Sequence, residues 1–185
     1  MQTLESERLI LRSFTELDTD DLFRYAVDPD VGPRAGWKPH ATRAESLAIV
    51  RMFIADDNVW AIERKSDHRM IGSLGLHTDK WRNLPDVRTI GYVLAKDCWG
   101  HGYMTEAVRC ATKYAFTEAG MNMISVAHYT FNDRSRRVIE KCGFVYEGTL
   151  RRAFVRYDGE IFDEAIYSLA KEEWLAMQAG TDKPV

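Results

Sequence analysis

The sequence predicts an α+β domain whose mixed, mostly antiparallel central sheet is flanked by helices, and three observations lead to this prediction. Alternating apolar runs, which are typical of strands, recur along the chain between segments with helical apolar stripes. Asp158-Gly159 joins two alternating runs and is the strongest hairpin signal in the chain. The two runs within residues 59–77 also favour an antiparallel pair. A purely parallel, doubly wound sheet therefore fits less well.

The first third of the chain predicts one strand and two helices. Residues 7–14 (ERLILRSF) predict a short strand, and Asp18 with Asp21 three positions later predicts a helix start. Residues 28–40 predict a loop, because this stretch contains three prolines and two glycines. Thr42 followed by Glu45 is a capping-box pattern, which predicts a second helix start.

The rest of the chain alternates strands with helices. A helix is predicted after Gly102, with an apolar stripe that stops at Gly120. A shorter helix is predicted over 133–141, ended by Gly143. Strand patterns cover residues 59–63, 70–77, 89–95 and 123–129, and the Asp158-Gly159 hairpin follows them.

Composition indicates one compact domain, which we place at residues 1–178, followed by a flexible tail at 179–185. The 185 residues suit a single core, and a hydrophobic content of 45% excludes wholesale disorder. No apolar run is long enough to cross a bilayer, and the N-terminal residues lack the apolar stretch of a signal peptide. We therefore expect a cytoplasmic protein with no membrane partner.

Charge and metal-ligand spacing exclude further classes of function. A formal net charge of −3 disfavours direct nucleic-acid binding through bulk charge. Cys98, Cys110 and Cys142 are odd in number and form no CxxC pair, so neither a disulfide framework nor a zinc site is predicted. The five histidines show no metal-ligand spacing either, and we expect no metal.

The most informative segment is TIGYVLAKDCWGHGYMTEAV at residues 89–108. A predicted strand runs into Gly100 and Gly102, and a predicted helix begins directly after them. Glycines permit a sharp turn, and free N–H groups at a helix start bind phosphate or pyrophosphate. A dinucleotide fingerprint would need a glycine where Thr105 stands, and a Walker loop is absent. The alternatives are another phosphate ligand or a tight turn without a ligand.

A second segment, NDRSRRVIEKCGF at residues 132–144, follows one strand later. Asn132 can be the N-cap of the predicted helix, with Ser135 in its first turn, or both side chains can face the same ligand as the glycine turn. The segment also holds a basic cluster that suits one polyanionic ligand or forms a solvated helix face. Its members are Arg134, Arg136, Arg137 and Lys141.

Together the two segments resemble the GNAT superfamily of acetyl-CoA-dependent N-acetyltransferases. WGHGYMTEAV is similar to the pyrophosphate loop of that family, and NDRSRRVIEKCGF to its later CoA-contacting helix; the resemblance runs from ERLILR at 7–12 to the last strand. IGYVL, EKCGF followed by EG, and DGEIFDEAIYSL with EEW most resemble the branch of ribosomal-protein N-terminal (alanine) acetyltransferases. The resemblance implies a splayed parallel strand pair, at 89–95 and 123–129.

The resemblance also implies that acetyl-CoA lies where these two strands splay apart. Its pantetheine arm would bind unpaired backbone groups of the first strand, and its pyrophosphate would bind N–H groups of the glycine turn. The residues expected to contact acetyl-CoA are Val93, Leu94, Gly100, His101, Gly102, Tyr103, Met104, Thr105, Asn132 and Ser135.

Acetyl transfer to an amine benefits from an oxyanion donor and from an acid that protonates the leaving thiolate. We expect the backbone N–H of Val93 or Leu94 to be the oxyanion donor. Many family members use a Tyr as the acid at the position of Ile139, which cannot donate a proton. We therefore assign the acid to Ser135, whose alternative roles are to bind the cofactor or to cap the helix.

The sequence does not identify a single residue as the general base. A base carboxylate often precedes the Ile-Gly-Tyr strand segment in the family, but Thr89 stands there, so His77, His128 or a water chain would take the proton. Cys98 lies beside the glycine turn without histidine and carboxylate partners at recognisable spacing. We therefore expect direct transfer and no acyl-enzyme.

The expected reaction is transfer of the acetyl group to a protein N-terminal α-amine of the ribosomal-protein type. The loop at 31–40, with Trp37, and the region of Trp81 are expected to wall the acceptor cleft. The alternatives are an acetyltransferase for an antibiotic, polyamine or amino-acid-like amine, and a non-catalytic acyl-CoA-binding module. A homodimer also stays open.

Overall fold

A computed structural model describes residues 1–181 of the chain, which form eight strands and five α-helices. In chain order these are β1 (Leu4–Glu5), β2 (Leu9–Ser13), α1 (Thr19–Ala26), α2 (Arg43–Asp56), β3 (Val59–Arg64), β4 (Arg69–Thr78), β5 (Val87–Leu94), α3 (Tyr103–Thr117), β6 (Met123–Tyr129), α4 (Asp133–Lys141), β7 (Val145–Val155), β8 (Ile161–Ala170) and α5 (Lys171–Thr181). Of the predicted tail at 179–185, residues 179–181 belong to α5 and residues 182–185 lie outside the described residues.

The described strands form one sheet in the order β1-β2-β3-β4-β5-β6-β8-β7. Only β5 and β6 are parallel among the described strands, and the other neighbours are antiparallel. The predicted hairpin joins β7 to β8, and Gly159 in its turn has a φ of +85°. The mixed, mostly antiparallel sheet expected from the sequence is confirmed.

The parallel pair diverges after four residue pairs. Val87–Ile90 of β5 pairs with Met123–Val126 of β6, after which β5 continues to Leu94 and β6 to Tyr129 without a mutual pairing. Over this stretch β5 stays paired with β4, and β6 with β8. A gap therefore opens between the carboxyl ends of β5 and β6, where backbone polar groups have no partner strand within the described chain.

Helices cover both faces of the sheet. Ser73 and Tyr92 lie on opposite faces, because Tyr92 pairs in register with Leu74. Ser73 hydrogen-bonds to Tyr25 of α1, so α1 covers one face, with α2 beside it; we call this the α1–α2 face. Tyr92 contacts Ser135 of α4, so α4 and the neighbouring α3 cover the other, the α3–α4 face. Within residues 1–181, no helix combines the length and apolar character that a membrane span requires.

Candidate active site

The predicted glycine turn joins β5 to α3 and leaves the first amides of the helix free. Gly100 and Gly102 have φ values of +83° and +80°, a region that glycine enters at little cost. Gly102 is the N-cap of α3 without a side-chain cap, and the N–H of Glu106 donates to its C=O at 3.1 Å. The N–H groups of the first helical turn thus have no carbonyl partner in the helix and can bind an anion.

A cavity of about 510 Å³ lies between this turn, the gap in the sheet and the start of α4. Most of the residues predicted to contact acetyl-CoA line it, namely Val93, Leu94, Gly100, Gly102, Tyr103, Met104, Thr105, Asn132 and Ser135. His101 lies outside the lining, and its C=O accepts a hydrogen bond from Arg8 Nη1 at 3.0 Å. Met104 is only 5% exposed, so its size is accommodated among the core residues while its backbone remains at the helix start.

The cavity passes through the sheet. By strand alternation, Tyr92 and His128 line it from the α3–α4 face, where Ser135 of α4 joins them. His77 and Tyr129 line it from the α1–α2 face. A continuous sheet would separate these groups, so the divergence of β5 and β6 is what brings them to one cavity.

The strand register determines which backbone groups face the gap. The N–H of Ala95 donates to a carbonyl of β4 at 2.8 Å, so the alternation of an antiparallel ladder directs the N–H and C=O of Val93 to β4 as well. Tyr92 and Leu94 direct theirs into the gap, where the C=O of Leu94 accepts the indole N–H of Trp99 at 2.8 Å. The backbone role predicted for Val93 is therefore corrected: its groups are held by β4, and Tyr92 has the position expected of it.

Ser135 is hydrogen-bonded to a tyrosine whose sequence pattern indicated only a strand residue. The hydroxyl of Tyr92 lies 2.8 Å from the hydroxyl of Ser135. Burial raises the pKa of Tyr92, so its hydroxyl stays protonated near neutral pH. Two hydrogen-bonded hydroxyl side chains, Tyr92 and Ser135, therefore line the cavity together.

Asn132 is the N-cap of α4, which is one of the two roles that the sequence allowed for it. Its Oδ1 accepts the N–H of Ser135 at 3.3 Å, and its Nδ2 donates to the C=O of Arg34 at 3.2 Å. Asn132 thereby fixes the first turn of α4 beside the loop at 31–40. The Nε of Arg34 is buried without a hydrogen-bond partner among the described residues, and Arg34 lines the cavity. No sequence pattern points to this group.

The basic cluster of α4 divides between the cavity and solvent. Arg134, Arg137 and Lys141 line the cavity, and the Arg134 guanidinium lies 4.7 Å from the centroid of the Trp99 ring. Arg136 instead forms ion pairs with acidic neighbours on its own helix. Three positive charges therefore border the cavity on the same side as the free amides of α3, an arrangement suited to a polyanion.

Both candidate histidines line the cavity, from opposite faces. His77 lies over Gly75 and Gly91, where a side chain would occupy its space, and burial lowers its pKa from 6.5. It is therefore neutral at pH 7 and can accept a proton. His128 is held through Nδ1 by the C=O of Tyr129 at 2.8 Å, which leaves its buried Nε2 without a partner in the described part of the chain.

The α1–α2 end of the cavity carries a carboxylate that no sequence pattern indicates. Glu164 of β8 lines the cavity and is 7% exposed. Its two oxygens accept hydrogen bonds from Lys80 Nζ at 3.0 and 2.8 Å. Trp37 lines this end as predicted, whereas Trp81 lies outside the lining.

Several other groups are poorly suited to a chemical role in this geometry. Ile139 is 1% exposed in the core, and the Thr89 hydroxyl donates to Asp79 Oδ2 at 3.1 Å. Burial raises the pKa of Cys98, which therefore remains a thiol and a poor nucleophile. Within residues 1–181, no cluster of three or more His, Cys, Asp or Glu side chains forms a candidate metal site.

Comparison with known proteins assigns this site to a family. A family model described as an acetyltransferase (GNAT) domain matches residues 8–145, most of the chain. The chain belongs to the GNAT family. It is an acetyl-CoA-dependent N-acetyltransferase, and the free amides at the helix start, the gap in the sheet and the basic border of the cavity fit acetyl-CoA as its cosubstrate.

Individual GNAT relatives match most of the chain. The uncharacterised N-acetyltransferase YoaA of Bacillus subtilis is 29% identical over 175 residues, which cover 91% of this chain and 96% of YoaA. The provisionally named ribosomal N-acetyltransferase YdaF of Bacillus subtilis is 36% identical over 111 residues, 58% of this chain and 57% of YdaF. A GNAT acetyltransferase structure from Bacillus anthracis has a TM-score of 0.84 at 24% identity, covering 93% of this chain and 100% of that one. The fold is thus shared along the chain.

Proposed function

We propose that the enzyme acetylates a protein N-terminal α-amine, with acceptors of the ribosomal-protein type. The observation that carries this proposal is the cavity itself, which has hydroxyl donors on the α3–α4 face and a neutral histidine on the α1–α2 face. An α-amine has a pKa of about 8 and needs less help to lose its proton than a lysine, with a pKa of about 10.4. A histidine is therefore a sufficient base for an α-amine. The similarity to YdaF supports the same acceptor class.

Acetyl-CoA would be held mainly by backbone groups. The N–H groups of Gly100 and of residues 102–105 would bind the pyrophosphate, and Asn132 would support the start of α4 beside it. Tyr92 and Leu94, in place of Val93, would bind the pantetheine arm across the gap. The basic side chains that border the cavity would bind the phosphates.

The acetyl group would pass directly from acetyl-CoA to the amine, without an acyl-enzyme intermediate. The amine nitrogen attacks the thioester carbonyl carbon, and the backbone N–H of Leu94 stabilises the oxyanion. The C–S bond then breaks, the thiolate takes the proton of the Ser135 hydroxyl, and Ser135 takes the proton of the Tyr92 hydroxyl. The proton of the amine goes to His77 on the opposite face. Water that enters as the products leave reprotonates Tyr92 and removes from His77 the proton that came from the amine, so both side chains return to their starting states.

Replacing His77 with glutamine should lower kcat about tenfold to a hundredfold at pH 7, because the variant lacks a base. Wild-type kcat should fall as the pH drops below the lowered pKa of His77, since protonation removes its lone pair. This acidic limb should be absent in His77→Gln. The control is His68→Gln, which changes an exposed histidine paired with Glu63 outside the cavity. Equal pH profiles for both variants would exclude His77 as the base.

The acceptor class is tested by thiol-release kinetics across a panel. The panel contains Ala-, Ser- and Met-initiated peptides, polyamines and aminoglycosides, all with acetyl-CoA as donor. Turnover on peptides, with blocked N-termini inactive, is the expected result. Turnover confined to the small amines would replace the proposed acceptor with a small molecule, and turnover on none would favour a binding module.

A further inference from the structure

Glu164 stands at the α1–α2 end of the cavity, on the face opposite the glycine turn and α4. It pairs in register with Tyr129 of β6 and therefore shares the α1–α2 face with it. The loop at 31–40 closes over this position, because Gly36 lies directly on the Tyr129 hydroxyl and the Phe154 ring. A carboxylate thus forms part of the wall at the end of the cavity opposite the glycine turn.

The two partners of the ion pair between Glu164 and Lys80 differ in how far they are buried. The Glu164 side chain is 9% exposed, whereas the side chain of Lys80 is 55% exposed. A buried carboxylate needs a positive partner, because the cost of removing it from water is otherwise not offset. The partner here comes from the solvent side and retains most of its hydration, so another cation that enters the cavity can replace it.

Lys80 also has a second partner while it is paired with Glu164. Its Nζ lies 4.6 Å from the centroid of the Trp81 ring, within the range of a cation–π contact. Lys80 belongs to the segment between β4 and β5, which has no strand or helix of its own. When Lys80 separates from Glu164, its ammonium group is therefore not left in an apolar site, and the sheet is not disrupted.

We propose that Glu164 binds a second positive charge on the acceptor, and that Lys80 is the internal cation which the acceptor displaces. The reacting nitrogen must be neutral to attack, so it is not the group that keeps an ion pair with Glu164. The acceptor class is a primary amine with a cationic group close by, as in a peptide with lysine near its N-terminus. The aromatic rings of Trp37 and Tyr129 on the same part of the lining suit such a cation. The inference rests on the proposed acetylation of an amine at this site.

The test compares matched acceptors with wild type, Glu164→Gln and Lys80→Met. One arm uses Ala-initiated peptides with lysine or methionine at the second, third or fourth position, and the other uses 1,4-diaminobutane against butylamine. The wild type should prefer the cationic member of at least one arm by about tenfold in kcat/KM, the size expected of a partly buried ion pair. Glu164→Gln should bring this ratio close to one without changing the KM for acetyl-CoA, and Lys80→Met should increase it. A preference for the lysine peptides identifies the acceptor as a peptide, and a preference for 1,4-diaminobutane identifies it as a small diamine.

A matched control and a binding readout keep the outcomes distinct. Glu147→Gln removes a carboxylate that is paired with Arg82 outside the cavity, and it should leave the ratio unchanged. Turnover with no preference for cationic acceptors, or a preference unaffected by Glu164→Gln, would overturn the inference and leave the acetylation intact. Absence of all turnover would instead contradict the proposed function. In that case calorimetry with N-acetylated lysine and methionine peptides still decides, because only Glu164-dependent binding of the lysine peptide supports a cation site.

Discussion

Replacing Gly102 with valine should abolish acetyl-CoA binding. Gly102 has a φ of +80°, a conformation that costs a β-branched residue about 1–2 kcal/mol or more, so valine shifts the turn out of the left-handed region. The amides that follow then no longer point together at the pyrophosphate. At roughly 100 times the Kd, acetyl-CoA should stabilise the wild type by about 2.7 kcal/mol, which raises its thermal midpoint by about 5–10 °C. The variant should show no such rise.

Gly120→Val is the matched control for this result. Gly120 has a similar φ of +71°, follows α3 at its other end, and has open space where a side chain would be added. This variant should lose a comparable amount of stability but keep the thermal shift with acetyl-CoA. If Gly102→Val retained the shift, the glycine turn would not be the pyrophosphate site.

Ser135→Ala should lower kcat by about a hundredfold while changing the KM for acetyl-CoA less than threefold, as expected for loss of a general acid. The thiolate would then leave without a positioned proton donor. Tyr92→Phe should have a smaller effect in the same direction, because it removes only the hydroxyl that resupplies Ser135. Both effects are measured by steady-state thiol release at saturating acceptor.

Tyr146→Phe controls for loss of a tyrosine hydrogen bond as such. The Tyr146 hydroxyl lies 2.8 Å from the hydroxyl of Thr149 on the exposed strand β7, the same kind of pair as Tyr92 and Ser135 but outside the cavity. Its kcat should equal that of the wild type. Small and equal changes in kcat and KM for Ser135→Ala would reduce Ser135 to a cofactor contact or a helix residue.

The glycine turn and the start of α4 could be predicted from the sequence because their chemistry is local. Two glycines between a strand and a helix indicate a backbone with positive φ, and both glycines have it. Asn132 three residues before Ser135 indicates a capped helix start, which the structure contains. In each case the residues that define the feature are neighbours along the chain.

Features that depend on two distant segments could not be predicted in this way. Alternation along β5 shows that Val93 and Leu94 differ in orientation, but the choice between them depends on which strand lies on each side. Tyr92 belongs to an alternating strand pattern, and only the packing of α4 on that face brings its hydroxyl to Ser135. The place of Glu164 in the cavity wall likewise depends on the loop at 31–40, which is distant from it in the chain.

Strand β7 shows a different limit. Most of its residues are exposed at the edge of the sheet, so its sequence lacks the apolar alternation that indicates a half-buried strand. Only its end, next to the Asp158-Gly159 turn, carries a signal. The sequence could not assign a role to His77 or His128 for a related reason. They are single histidines on different strands, and both line one cavity only because β5 and β6 separate.

The most direct test of the proposed activity is to locate the acetyl group on a peptide that offers both kinds of amine. The wild-type enzyme is incubated with acetyl-CoA and an Ala-initiated peptide that contains one internal lysine, and tandem mass spectrometry locates the modification while thiol release is counted. We predict one acetyl group on the α-amine for each thiol released, and none on the lysine. Acetylation of the lysine alone, or thiol release without a modified peptide, would contradict the proposal that this enzyme acetylates protein N-termini.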